Sequence, residues 1–299
     1  MTQKYIWLKT SFFIEQDRLQ DFYIEYIIPF NLEIEKDATN VYCYYNSLST
    51  TQGSHLNLSI LHSVTSAHAM KLKVQEFFLP YFKNKVLQVP FQSKEINILD
   101  LWKPFDNYKI YFNIFYLKIE SKYPHVFNTF SRYKVLTNIS KTLDHIMADL
   151  SEVDFTNLME VVILSYYFLI NTKRIDMTTL QNHIAYLEDR NSLYTEDIYV
   201  NLISMLEADV HNNADFLEEC KSFSNAPPPY DLKWLNHFSE TIVELEVSCD
   251  KKDNCKDLLS EYALLFINTL GMSPLKEIYS LHLLKSHLKQ QHLDLKVAL

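Results

Sequence analysis

Residues 52–60 read QGSHLNLSI, and residues 41–46 upstream read VYCYYN. From Ser54 to His62 the chain alternates strictly, which sends Leu56, Leu58 and Ile60 to one side of a strand and His55, Asn57 and Ser59 to the other. The earlier stretch is β-branched and aromatic, and SLSTTQG at 47–53 separates the two as a loop. Gly53, one of two glycines in 299 residues, stands where the chain must turn. The pattern predicts two paired strands turned near Gly53, with an apolar face for a core and a polar face opposite.

Working outward, Tyr5–Phe13 reads as another strand. From Asp17 the apolar positions Leu19, Phe22, Tyr23, Tyr26 and Ile27 keep helical spacing until Pro29, which is expected to end the helix. Met70, Val74, Phe77, Phe78 and Tyr81 mark a second helix, closing at Pro80 or a little beyond. Short strands near 86–91 and a long one through YKIYFNIFYLKI (108–119) complete the set. The periodicity then becomes helical, in Val135, Ile139, Leu143, Ile146 and Leu150, in Phe155–Leu169, and in Leu180, Ile184 and Leu187. NAPPPY at 225–230 punctuates the helices. Gly271 follows a helix ending at Leu270 as its left-handed residue, and Ser273 with Pro274 opens a last helix expected to reach about Gln291. The expected fold class is α+β: one stand-alone domain, with a mixed sheet and packed helices over about 1–130 and a mainly helical part over about 131–299.

Composition narrows the function. The chain is 47% hydrophobic, ample for a core, and 28 basic against 37 acidic residues give a formal charge of −9. With no basic stripe, direct nucleic-acid binding is not expected. Cys43, Cys220, Cys249 and Cys255 form no CxxC pair, which suits reduced thiols in a cytoplasm. The amino-terminal residues lack a signal-peptide core, and the most apolar run, Leu158–Ile170, is too short for a bilayer, so membrane insertion is not expected. Two glycines cannot build a dinucleotide or P-loop fingerprint, no GxSxG elbow exists, and the histidines form no HExxH; neither metal nor cofactor is expected.

Two polar groupings remain. One is His55, Asn57 and Ser59; the other is His282, Lys285, Ser286 and Lys289, at i, i+3, i+4 and i+7 of the last helix. Each is open to a plain reading, a solvated sheet face and a hydrated helix surface, and to a functional one.

WLKTSFF (7–13), VYCYYN with QGSHLNLSI, and SLHLLKSHL (280–288) together resemble three landmarks of the carboxyl-terminal elimination domain of class I lanthipeptide dehydratases, the thiopeptide-type bacteriocin biosynthesis domain. The order, spacing and length agree with that family. Gly53, His55 and Ile60 keep its Gly-x-His frame, and His282 keeps its late histidine. The resemblance implies a component of lantibiotic- or thiopeptide-type peptide biosynthesis, with His282 as catalytic acid/base. It implies a substrate-binding cavity drawing on His55, Asn57, Ser59, Lys285, Ser286 and His287. The family has arginines where this chain has Asn57, Ser59 and either Tyr45 or Asn46, and an Asn-Arg pair where it has Ser286 and His287.

That departure has a chemical meaning. Elimination of glutamate from a glutamylated Ser or Thr needs a base for the Cα proton and a cation for the departing carboxylate, and Asn and Ser offer only neutral dipoles. Three readings follow from the resemblance: a lyase-type elimination enzyme, a pyridine-forming cycloaddition enzyme of thiopeptide assembly, and a non-catalytic partner. The partners implied are a precursor peptide, a separate tRNA-dependent glutamylating dehydratase protein, and a second copy of the chain as a homodimer.

Overall fold

A computed structural model of the chain describes residues 5–37, 41–49, 55–85, 109–115, 131–190, 209, 212–225, 230–247 and 252–297. The fold is α+β. Four strands, β1 (Tyr5–Phe13), β2 (Val41–Ser49), β3 (His55–Ser63) and β4 (Lys109–Phe115), form a sheet in the order β2-β3-β1-β4. All three described ladders are antiparallel, where a mixed sheet was expected. β2 extends to Ser49, so the first three residues of the expected loop belong to the strand. Gly53 and the expected strand at 86–91 lie outside the described residues.

The chain divides into two compact units, residues 1–152 with 268–271, and residues 153–267 with 272–299. In the first, Leu56, Leu58 and Ile60 are fully buried, as their alternation predicts. Phe12 leads from the same face into an aromatic core, its ring centroid 4.5 Å from Phe78, 5.5 Å from Phe22 and 6.1 Å from Phe82. These partners come from α1 (Leu19–Phe22) and α3 (Ala67–Lys85). Full burial of each such ring is worth about 2–3 kcal/mol, so this face carries much of the unit's stability.

Neither proline ends its helix. A π-helical turn, Tyr23–Ile27, follows α1, and α2 (Ile28–Glu35) restarts with Pro29 in its first turn, where a missing N–H costs nothing. Pro80 lies inside α3, which continues to Lys85. The wide turn also places Tyr23 and Asn31 together: the Tyr23 hydroxyl donates to Asp144 Oδ1 at 2.7 Å, and the Asn31 amide donates to both Asp144 oxygens at 3.2 and 3.3 Å.

Asp144 belongs to α4 (Ser131–Asp149), which packs along the edge strand β2 rather than with the later helices. The Asn46 N–H donates to Ser140 Oγ at 2.8 Å and the Tyr44 N–H to Thr137 Oγ1 at 3.3 Å, so hydroxyls one helical turn apart satisfy the outward donors of the edge.

In the second unit the apolar run forms the buried centre of α5 (Phe155–Asn171). Around it stand α6 (Met177–Arg190), α7 (Ala214–Asn225), α8 (Lys233–Val247), α9 (Lys252–Thr269) and α10 (Pro274–Val297). Phe238 of α8 meets Phe168 at 6.0 Å and Phe266 at 5.0 Å. At the end of α9, Gly271 has φ 66°, the left-handed residue its position predicts. The Ser273 carbonyl accepts from the Lys276 and Glu277 N–H groups, opening α10 with Pro274 in its first turn; α10 runs six residues past the expected Gln291. No helix among the described residues is long and apolar enough to cross a membrane.

Candidate functional site

Register builds a polar face within the first unit. β1 and β3 pair so that Lys9 faces Ser59, Ser11 faces Asn57 and Phe13 faces His55, and β2 adds Tyr45, Ser47 and Ser49 opposite Ser59, Asn57 and His55. These residues share the sheet face opposite the aromatic core. Two contacts fix the arrangement: Ser11 Oγ donates to Asn57 Oδ1 at 2.6 Å, and the His55 imidazole stacks on Phe13 with centroids 4.5 Å apart. The face closes at one end in an apolar cluster of Trp7, Cys43, Leu61 and Leu136.

The solvated-face reading of this strand fails. His55, Asn57 and Ser59 are buried, at 7%, 7% and 3% exposure. Burying such groups without partners is costly, and the Ser11–Asn57 bond offsets part of that cost. Tyr45 is likewise bonded, its hydroxyl 2.9 Å from Thr269 Oγ1, and burial pushes its phenol pKa above the usual value.

Lys9 is the cation that β1, β2 and β3 bring to this face; the register places Lys109 of β4 on the same face, opposite Phe13. It is half-buried, and burial pulls its ammonium below the ordinary lysine value. No strand of the sheet contains an Asp or Glu, and none contains an arginine; the chain has four, Arg18, Arg132, Arg174 and Arg190. Among the described residues Lys9 makes no hydrogen bond or ion pair.

A second polar grouping lies on α10, within the second unit. His282 Nε2 is 2.8 Å from Glu188 Oε1 of α6. In the neutral imidazole that contact places the proton on Nε2 and the lone pair on Nδ1, the tautomer of a general base oriented by a carboxylate. Burial lowers the imidazole's basicity most, the Glu188 bond opposes it, and Lys285 and Lys289 lower it further. Lys285 and Ser286 are half-buried beside it, whereas Lys289 is exposed. His287 is directed elsewhere: it is buried, 3.3 Å from Glu218 of α7, with its ring edge-on to Tyr167. Thus α10 groups His282, Lys285 and Ser286, while His287 joins a separate contact.

Sequence reasoning missed Lys9, Ser11 and Glu188, and marked Tyr45 only as a position where the resembled family has an arginine. Alternation within WLKTSFF carried a signal for the first two; Glu188 is 94 residues from its histidine and has none. It also missed a buried chain in which the Tyr166 hydroxyl meets His183 Nδ1 at 2.7 Å and His183 Nε2 meets Ser260 Oγ at 2.6 Å. All three residues are 3% exposed or less, so this chain ties α5, α6 and α9 together and presents no nucleophile to solvent. Among the described residues no group of three His, Cys, Asp or Glu could hold a metal.

No protein-family model matches the sequence, and no curated protein does. Solved structures do. The pyridine synthase TbtD from thiomuracin biosynthesis superposes with a TM-score of 0.64 at 12% identity, covering 95% of this chain and 98% of that one. The chain shares the fold of a thiopeptide pyridine synthase. TsrL aligns with a TM-score of 0.55 at 9% identity, covering 97% of this chain and 96% of its own.

Proposed function

We propose that the protein modifies a ribosomally made peptide in thiopeptide-type biosynthesis, and that its reaction is pyridine formation rather than glutamate elimination. The observation that carries this reading is the sheet face: buried, polar and without arginine, in a chain whose fold matches a pyridine synthase nearly end to end. Expelling a glutamate carboxylate calls for a fixed cationic fork. Joining one dehydroalanine and its preceding amide, as the imidic acid, to a second dehydroalanine forms two C–C bonds, and the ring becomes aromatic by expelling the amide oxygen as water and the upstream peptide as a neutral carboxamide. No carboxylate departs, and the step needs the peptide held in a reactive geometry and protons moved by an imidazole. His55, Asn57 and Ser59 serve the first task as neutral hydrogen-bonding groups. His282, oriented by Glu188, serves the second, with Lys285 and Ser286 beside it; His287 holds α10 to α7.

The test offers purified protein two peptides: one carrying two dehydroalanines and azoles, the other carrying glutamylated serine. Consumption of the first, with the mass loss and ultraviolet absorbance of a new pyridine, is expected. Glutamate release from the second would move the assignment to elimination. Binding of peptide with turnover of neither would leave a non-catalytic partner. In the cell the reading implies a precursor peptide as partner and enzymes that install the dehydroalanines, a tRNA-dependent glutamylating protein among them.

A further inference from the structure

The described side chains of β1, β2 and β3 include one ammonium, that of Lys9, and no carboxylate. Its neighbours on the face are Ser59, Ser11 and Tyr45, and its register partner on β4 is Asn113, all neutral. A half-buried ammonium loses part of its hydration, and in a folded protein that loss is ordinarily offset by a counter-ion or by several acceptors. Lys9 has neither among the described residues, and its depressed basicity arises from desolvation with no carboxylate acting on it. Its nearest strand neighbours are bonded elsewhere: Ser11 gives its proton to Asn57, and Tyr45 meets Thr269. The described side chains of β1, β2 and β3 therefore set a positive group on the face with no carboxylate beside it.

We propose that Lys9 is a substrate-contacting residue that recognises a carboxylate of the bound peptide. The ammonium supplies charge-assisted hydrogen bonds, and the flanking Ser11–Asn57 pair lies one strand step along, where it reaches the adjoining peptide amide. This assignment rests on the peptide-modifying reading above. Its chemistry admits two sources, an acidic side chain or a chain terminus.

The experiment measures acylation of Lys9 in the full-length protein by an amine-reactive acetate ester, read by tandem mass spectrometry, with exposed Lys36 and Lys276 as internal references. Three probes separate the sources: N-acetyl-glutamate methylamide carries only a side-chain carboxylate, N-acetyl-alanine only a terminal one, and N-acetyl-alanine amide none. Protection of Lys9 by one or both carboxylates, with none by the neutral amide and none at the reference lysines, is expected. Equal labelling with all three probes overturns the proposal. Lys9→Met is expected to weaken binding of the protecting probe by about ten- to a hundredfold, the worth of a hydrogen bond to a charged group, and Lys9→Arg to retain most of it. Lys9→Met is also expected to fold with an unchanged or raised Tm, because an uncompensated charge is removed. A lowered Tm would reveal a counter-ion within the chain and overturn the assignment. If the carboxylate probes protect Lys9 while no modified peptide is bound or turned over, the peptide-modifying reading fails and the carboxylate site stands. If peptide is turned over by Lys9→Met with unchanged KM, the reverse holds.

Discussion

Gly271→Ala is expected to destabilise the sheet unit far beyond an ordinary surface change, for two separable reasons. The backbone there is left-handed at φ 66°, a conformation that costs an L-residue about 1–2 kcal/mol. In addition, a Cβ would sit 2.4 Å from the Leu48 carbonyl carbon and 2.6 Å from both its Cβ and its oxygen. Two of those three atoms are backbone of β2 and cannot rotate aside, so the strand itself must move, adding about 1–3 kcal/mol as in other overpacked sites. The sum is about 2–5 kcal/mol, or a Tm lowered by about 5–15 °C for a unit of this size. Urea and thermal unfolding followed by circular dichroism and by Trp7 fluorescence would measure it. Gly271→Asn separates the causes, since Asn tolerates the left-handed region but carries the same Cβ. If both variants lose less than about 1 kcal/mol, the close approach of this turn to β2 is not the constraint described.

Further outcomes follow from the other networks. Burial raises the Asp144 carboxyl from 3.8 to about 6 against the Tyr23 and Asn31 bonds, so the protonated form favours the folded state. Its contribution is greatest below pH 4 and is lost as pH rises through 6, a cost of about 3 kcal/mol at neutrality. Asp144→Asn should flatten stability between pH 4 and 7, and urea midpoints at pH 5 and 8 that keep the wild-type slope would contradict this. Ser140→Ala strands the buried Asn46 N–H and should cost about 1–3 kcal/mol in the same assay, where a loss below 0.5 would show the bond to be dispensable. The His282 imidazole should titrate below 6.5 by nuclear magnetic resonance, and Glu188→Gln should lower it further; a rise would contradict the pairing. Arg174→Lys breaks a two-point bond to Glu246, at 2.8 and 2.9 Å, and should cost about 1 kcal/mol in thermal unfolding.

Much of the architecture could be read because its causes are local. The β1 limits and the apolar face of β3 follow from alternation, and the Gly271 turn with Ser273 and Pro274 follows from backbone chemistry. Pro29 misled because a proline's effect depends on where the hydrogen-bond ladder is already interrupted, and a π-helical turn leaves no composition signature; α3, expected to close at Pro80 or a little beyond, runs on to Lys85. The polar residues of β3 could be placed on one face but not weighed. Whether His55, Asn57 and Ser59 meet water or protein depends on neighbours far along the chain, and their burial decides against a wet surface. Lys9 acquires meaning only through the register that sets it beside Ser59, 50 positions later.

The hydroxyls of Thr137 and Ser140 have a consequence for how a peptide can be received. An exposed edge strand invites another extended chain to continue the sheet, a common mode of peptide capture and also a route to self-association. Here the outward donors of Tyr44 and Asn46 are already committed to a helix that travels with the strand. Strand addition across Tyr44 and Asn46 is therefore closed to substrate and to a second copy of the chain alike. A guest that meets β2 across these two residues must be read by side chains such as Ser47 and Ser49 and not by main-chain pairing, so selectivity there resides in the guest's chemistry and not in its ability to lie extended.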